Sequence, residues 1–181
     1  MRVTPTAIAD VLVIEPRVFA DALGFFFESF NERAFAEAAS ITAKFVQDNH
    51  SRSVRNTLRG LHYQIQQPQG KLVRVVAGEI FDVVVDLRRK SPTFGKWVGD
   101  YLSAENRKMM WITPGLAHGF SVLSDYADFL YKTTDYWAPE HERSLLWNDP
   151  DLAIAWPLQG APTLAPKDAA ARRLAETEVF A

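Results

Sequence analysis

Apolar residues in this chain come in short runs separated by turn residues, and that spacing is the strongest constraint on what it can fold into. The runs are Val11 to Ile14, Phe25 to Phe27, Ala43 to Val46, Leu58 to Ile65, Leu72 to Val76, Ile80 to Leu87, Trp97 to Leu102, Met109 to Ile112, Gly119 to Leu123 and Phe129 to Thr133. Runs of this length at this spacing predict an all-β sandwich or barrel. Gly78-Glu79 and the Ser91-Pro92-Thr93-Phe94-Gly95 stretch are turn signals that fold neighbouring strands into hairpins or longer crossings, a pattern that fits a jelly roll. Helix signals are few. Asn31 is placed to cap Glu32 to Ala38, and Asp168 to Glu176, rich in alanine and arginine, predicts a C-terminal helix. Trp147 to Pro166 carries four prolines and no clear period, so it reads as an irregular wrap over the sheet. No repeat, linker or low-complexity tract divides the chain, and residues 1–181 read as one domain.

At 181 residues a single core suffices, because roughly 70% of the unfolded surface of such a chain is buried on folding. The 48% hydrophobic and 23% charged residues exclude a disordered chain. With no cysteine there is neither a disulfide framework nor a thiolate metal site, which agrees with a reducing compartment, and the cytoplasm is the expected location. Val11 to Ile14 is too short for a signal-peptide core or a membrane span. Twenty Lys and Arg against 22 Asp and Glu give a net charge of -2, which excludes a nucleic-acid surface built on bulk basicity. Any anionic ligand must be held locally.

One segment is built for that. Phe45 to Val76 holds two histidines and five lysine or arginine residues among several amides. Leu58, Gly60 and Tyr63 set a strand with Arg59 and His62 between them, and the chain turns at Pro68 to Gly70 before Lys71 opens the next strand. A base therefore stands close to cations. Histidine suits the role of base, since its reference pKa of ~6.5 leaves it largely neutral yet protonatable near pH 7.

The same segment resembles the signature of the dTDP-4-dehydrorhamnose 3,5-epimerase family, and five further stretches agree in order and spacing. They are GEIFDVVVDLRRKSPTFGKWVG from Gly78, LSAENRKMMWITPGLAHGFSVLS from Leu102, YKTTDYWAPEHE from Tyr131, WNDPDLAIAWP from Trp147, and Lys167-Asp168. The resemblance implies a cupin jelly roll without metal or organic cofactor. Its substrate would be a dTDP-linked 4-keto-6-deoxy sugar, inverted at C3 and C5 through an enolate. It further implies that His62, the H of LRGLHYQ, is the base, oriented by Asp168. Tyr131 matches the acid on the opposite face of the sugar, and Lys71 the cation beside the C4 oxygen. Arg59 matches a phosphate-binding position. Glu28, Gln47, Asn49, His118, Glu142 and Lys167 match further nucleotide or sugar contacts, and Trp137 an aromatic that stacks on the base. A homodimer is implied, with N-terminal strands exchanged between subunits.

One position departs from the family pattern: Leu23 stands where relatives usually carry an arginine before the GFF motif. A lost charge-assisted contact of that kind is worth ~1.5–3 kcal/mol, or ~10–150-fold in affinity. A metal-dependent cupin is disfavoured, because Tyr63 and Gln64 follow His62 and the paired-histidine motif is broken. Two readings stay open beside the double epimerase: inversion of a single carbon in a related sugar, and a non-catalytic sugar-nucleotide-binding cupin.

Overall fold

The computed structural model describes Met1–Ala181, and strands dominate it. In chain order they are β1 (Arg2–Pro5), β2 (Leu12–Glu15), β3 (Phe19–Asp21), β4 (Gly24–Phe26), β5 (Gln47–Val54), β6 (Thr57–Gln64), β7 (Lys71–Ala77), β8 (Glu79–Asp86), β9 (Trp97–Ser103), β10 (Met109–Ile112), β11 (Leu116–Val122), β12 (Tyr126–Thr133), β13 (Glu142–Ser144) and β14 (Thr163–Leu164). Two short helices are present, α1 (Glu32–Ala39) and α2 (Pro166–Ala169). Neither is long and apolar enough to cross a membrane.

The strands form two antiparallel sheets, in the order β1-β2-β10-β7-β12-β5 and β13-β6-β11-β8-β9, with β14 added beside β6; β3 and β4 make a separate hairpin. Consecutive strands β7 and β8 lie in different sheets, so Gly78 turns a crossing, while residues 87–96 join β8 to β9 as a hairpin. This is the expected jelly roll. Val73, Val75, Ile80, Val84, Met110, Ile112, Phe120 and Phe129 meet between the sheets and are almost fully buried. Each such side chain contributes about 1.5–3 kcal/mol on leaving water. On the outside of the first sheet, Phe35 of α1 packs edge-on against Trp111 and Phe45 at centroid distances of 5.6 and 5.9 Å. Leu152, Ile154 and Trp156 cover the outside of the second sheet, as expected for an irregular wrap over Trp147 to Pro166, and Leu145 and Phe180 join them from outside that segment.

Three local expectations need correction. Asn31 does cap α1, accepting from Ala34 N at 3.0 Å, but the C-terminal helix is not continuous over Asp168 to Glu176. It starts earlier, at Pro166, and stops after Ala169. Arg172 then pairs with Leu145 as an isolated bridge, and only Leu174–Glu176 coils again, as a 3-10 turn. The bridge pulls the backbone into an extended form that no helix can share. Ala43 to Val46 is not a strand either: Phe45 is taken up by the aromatic cluster around Phe35 and Trp111, and the strand is the polar segment that follows, Gln47–Val54. Finally, the run from Gly119 is part of a longer strand, Leu116–Val122.

A bulge decides which way the histidine strand faces. His118 pairs with His62 and Phe120 with Arg59, so Gly60 and Leu61 together oppose the single residue Gly119. Arg59 and His62, three residues apart, would otherwise point to opposite faces of the sheet. Both face inward instead. The two backbones come so close that a Cβ on Gly60 would sit 2.6 Å from Gly119 Cα and 2.8 Å from His118 O, and Gly60 has φ +118°, where side chains are strained.

Candidate active site

At one end of the barrel the inward positions change from apolar to polar. Gln47 and Asn49 of β5, Arg59, His62 and Gln64 of β6, Lys71 of β7 and Tyr131 of β12 occupy inner-face positions in register, Tyr131 opposite Asn49 and Thr133 opposite Lys71. Trp137, Glu142 and Lys167 close the mouth. The result is a cavity of about 410 Å³, lined by His62, Lys71 and Tyr131 together with Gln47, Asn49, Gln64, Trp137, Glu142 and Lys167. A second hollow of about 340 Å³ lies on the outer face of the first sheet beside Phe30; there Lys132 is already paired with Asp48.

His62 Nε2 lies 2.6 Å from Asp168 Oδ1, and the other oxygen of Asp168 accepts from Gly60 N at 3.2 Å. Asp168 is almost wholly buried. Burial alone would raise its carboxyl, but the His62 hydrogen bond and charge, the Gly60 N–H and Lys167 outweigh it and hold the group below the usual carboxylate range. An ionised acceptor requires Nε2 to carry the proton, which leaves Nδ1 as the basic nitrogen. The bulge residue Gly60 thus both aims His62 and helps to fix the carboxylate that orients it.

Tyr131 has the reverse protonation bias from Asp168. Burial pushes the Tyr131 phenol up, as does the charge of Glu142, and only Arg59 opposes them, so the hydroxyl is kept protonated. Lys71 is brought down to about 8 by burial, with Glu142 and Asp82 acting in the other direction. It is a cation at neutral pH and loses its charge within the physiological alkaline range. Glu142 is held low: burial opposes this, but hydrogen bonds from Lys167 and from the Trp137 indole, the latter at 2.9 Å, prevail.

The remaining expected residues are distributed unevenly. Arg59 is not among the side chains lining the cavity; its Nε donates to Ser53 Oγ at 2.7 Å, and its charge reaches Tyr131. His118 does not line the cavity. It is buried beneath it, with Nε2 at 2.9 and 3.0 Å from the two oxygens of Asp82, and it stacks on Phe129. Glu28 is outside as well, accepting from Asn31 Nδ2 at 3.1 Å ahead of α1. Leu23 is 97% exposed on the β3–β4 hairpin. Two inward groups were missed by sequence reasoning, Asp82 and Gln64. The signal was available: each sits two residues from a recognised inward position, Asp82 from Ile80 and Gln64 from His62. No group of three or more histidines, cysteines and carboxylates is gathered where it could hold a metal ion.

Residues 5–176 match the family model described as dTDP-4-dehydrorhamnose 3,5-epimerase. The chain belongs to that family. Membership makes it an isomerase, and relatives agree with it along the whole length. The protein is 64% identical to the dTDP-4-dehydrorhamnose 3,5-epimerase of Pseudomonas aeruginosa over 99% of both chains. It is 41% identical to a dTDP-4-dehydrorhamnose 3-epimerase of Streptomyces niveus, over 97% of this chain and 85% of the other. Among solved structures, the Legionella pneumophila dTDP-6-deoxy-D-glucose-3,5-epimerase in complex with dTDP-4-keto-L-rhamnose superposes with a TM-score of 0.95 at 55% identity, covering 98% of this chain and 94% of that one. The cupin jelly roll of these epimerases is therefore the fold of this chain.

Proposed function

We propose that this protein converts dTDP-4-dehydro-6-deoxy-D-glucose to dTDP-4-dehydro-L-rhamnose by inverting C3 and C5, in dTDP-rhamnose biosynthesis in the cytoplasm. The observation that carries the reading is the His62–Asp168 pair opening on the same cavity as Tyr131 and Lys71. His62 Nδ1 takes the proton from the carbon next to the carbonyl, and the electron pair moves onto the C4 oxygen as an enolate. The Lys71 ammonium stabilises that negative charge, an effect worth several kcal/mol when the donor is fixed in advance. Tyr131 then delivers its phenolic proton to the opposite face of the same carbon. The imidazolium and phenolate return to their starting states by proton exchange with water, and the cycle repeats at the second carbon.

Arg59 and Lys167 bind the diphosphate, and Gln47, Asn49 and Glu142 the sugar and nucleoside. Trp137 stacks on the base. His118 and Glu28 belong to the site less directly, His118 through the Asp82 carboxylate whose charge supports Lys71. All of residues 1–181 act as one cupin-type domain. A homodimer completes the site: Phe19, Leu23, Phe25 and Phe26 are exposed on the β3–β4 hairpin, and β5 lies at an open sheet edge, so exchange of N-terminal strands covers both.

The test is turnover of the dTDP-4-keto sugar by purified protein, coupled to a reductase that consumes the product, with product configuration read by NMR. Product inverted at both carbons supports the reading. Inversion at C3 alone supports the second reading, a single-carbon epimerase, the activity for which the Streptomyces niveus relative is named. Absence of solvent deuterium exchange at both C3 and C5 would leave only a binding protein.

A further inference from the structure

We infer that Gln64 is a positioning residue that seats the Trp137 loop over the cavity, and so sets affinity for the nucleotide part of the substrate with little effect on proton transfer. The inference rests on the reading of the cavity as a nucleotide-sugar site.

Gln64 follows His62 by two residues on β6 and shares its inward face, yet it is 5% exposed. It directs its hydrogen bonds to two adjoining loops, the β6–β7 turn and the segment after β12. Its Oε1 accepts from Ala138 N at 3.0 Å, and its Nε2 donates to Tyr136 O at 3.2 Å and to Gln67 O at 2.8 Å. Tyr136 and Ala138 are the two neighbours of Trp137, so one amide grips the backbone on both sides of the exposed indole. Trp137 has two further ties, from its N–H to Gln47 Oε1 at 3.1 Å and from its indole to Glu142 Oε2. Both of those partners stand nearer solvent. Gln64 is the buried anchor of the set.

The geometry requires a primary amide. A carbonyl must be donated to at one point and a backbone N–H accepted from at another, and only a side chain with both functions in one plane meets them. Glutamate at this position would keep the acceptor for Ala138 and face two carbonyl oxygens with a carboxylate oxygen. Methionine would fill the same space and meet none of the three. In either case buried backbone groups beside Trp137 lose their partner. Residues 134–138 form neither helix nor strand, and further ties hold the segment towards its two ends: Thr133 Oγ1 and Gln69 Nε2 donate to Asp135 O at 2.8 and 2.9 Å, Gly70 N donates to Thr134 Oγ1 at 2.8 Å, and Ala138 O accepts from His141 N where the Pro139–His141 3-10 turn begins.

The experiment uses the full chain, with dTDP as the binding probe and the dTDP-4-keto sugar as substrate. Gln64→Met should weaken dTDP binding and raise KM by about 10- to 100-fold, the size of one or two buried hydrogen bonds left unmade, while kcat stays within about threefold. Gln64→Glu should behave similarly. In a Trp137→Ala background the same Gln64→Met change should add less than about twofold, because the effect passes through the indole. In the unmodified protein, dTDP should slow hydrogen exchange at the Ala138 amide, a readout that does not depend on any variant folding. Equal losses in kcat and KM, independent multiplication of the two substitutions, or Ala138 exchange unmoved by bound dTDP each overturn the inference. Failure of the unmodified protein to bind dTDP would instead overturn the nucleotide-sugar reading itself.

Discussion

Asp168→Asn is the substitution for which the structure gives the sharpest expectation. The two oxygens of Asp168 have different jobs: Oδ1 accepts from His62 Nε2 at 2.6 Å, and Oδ2 from Gly60 N at 3.2 Å. An asparagine has one oxygen for two donors. If the oxygen stays on Gly60 N, the amide NH₂ faces His62 Nε2 and forces the ring proton onto Nδ1, the nitrogen that must be free to take the substrate proton. Wrong-tautomer losses in a His–Asp pair reach about 10⁴-fold in kcat. If the oxygen instead faces His62, the tautomer is right, but the NH₂ meets the Gly60 N–H in a buried space. That unmade hydrogen bond costs about 1–3 kcal/mol and also loosens the backbone that aims His62.

The expected outcome is a kcat between about 10² and 10⁴ below the parent, with KM for the dTDP sugar little changed, since Asp168 lies behind the histidine and not against the cavity. Solvent deuterium exchange at C3 and C5 should fall in proportion, because exchange and inversion share the abstraction step. ¹⁵N NMR of the histidine ring should show the proton moved from Nε2 to Nδ1. A kcat within about threefold of the parent, or exchange that survives while inversion is lost, would refute the assignment of His62 as base under control of Asp168.

Three further outcomes follow from the same geometry. Tyr131→Phe removes only the hydroxyl, so deuterium exchange should outlast net inversion; equal loss of both would assign Tyr131 to enolate stabilisation, and unchanged inversion would remove it from the mechanism. With the Lys71 ammonium of the free protein near a pKa of about 8, the group is charged below that value and neutral above it, so kcat/KM should fall as pH rises through about 8, and Lys71→Arg should move that fall to higher pH; a kcat/KM that is flat to pH ~10 would refute the role. Gly60→Ala places a Cβ 2.6 Å from Gly119 Cα at a φ of +118°, which should lower Tm by roughly 5–10 °C, measured by calorimetry; a shift under about 2 °C would show that the bulge tolerates a side chain.

How much of this was legible in the sequence depended on why each residue is buried. Leu72 to Val76 and Ile80 to Leu87 were found because short apolar runs bounded by turn residues mark strands, even where, as in Ile80 to Leu87, both faces are buried and no alternation remains. The cap at Asn31 was found because capping is local, the acceptor and Ala34 N being three residues apart. Strand β5 left no such trace. Its inner face lines the cavity with Gln47 and Asn49 and its outer face carries Asp48, His50 and Arg52, so both faces are polar and hydrophobic period says nothing. The C-terminal helix was overdrawn for a related reason: alanine-rich propensity is a local preference, and the bridge from Arg172 to Leu145 is a contact between distant parts of the chain.

The pair proposed as base and orienting carboxylate belongs to that second kind. His62 and Asp168 are 106 residues apart, and nothing in either neighbourhood predicts the other; their pairing was legible only through a resemblance that places them together. Even with both residues named, the sequence did not reveal that Gly60 makes the pairing work, since the β6–β11 bulge turns an odd spacing between Arg59 and His62 into a shared face. Gln64 and Asp82 were passed over because a polar residue on an inner face looks like an interruption of a strand until its partner is known. Each of these two interruptions holds a neighbouring group in position, Asp82 the imidazole of His118 and Gln64 the backbone beside Trp137, and a buried polar group so paired is stable where an unpaired one would be costly.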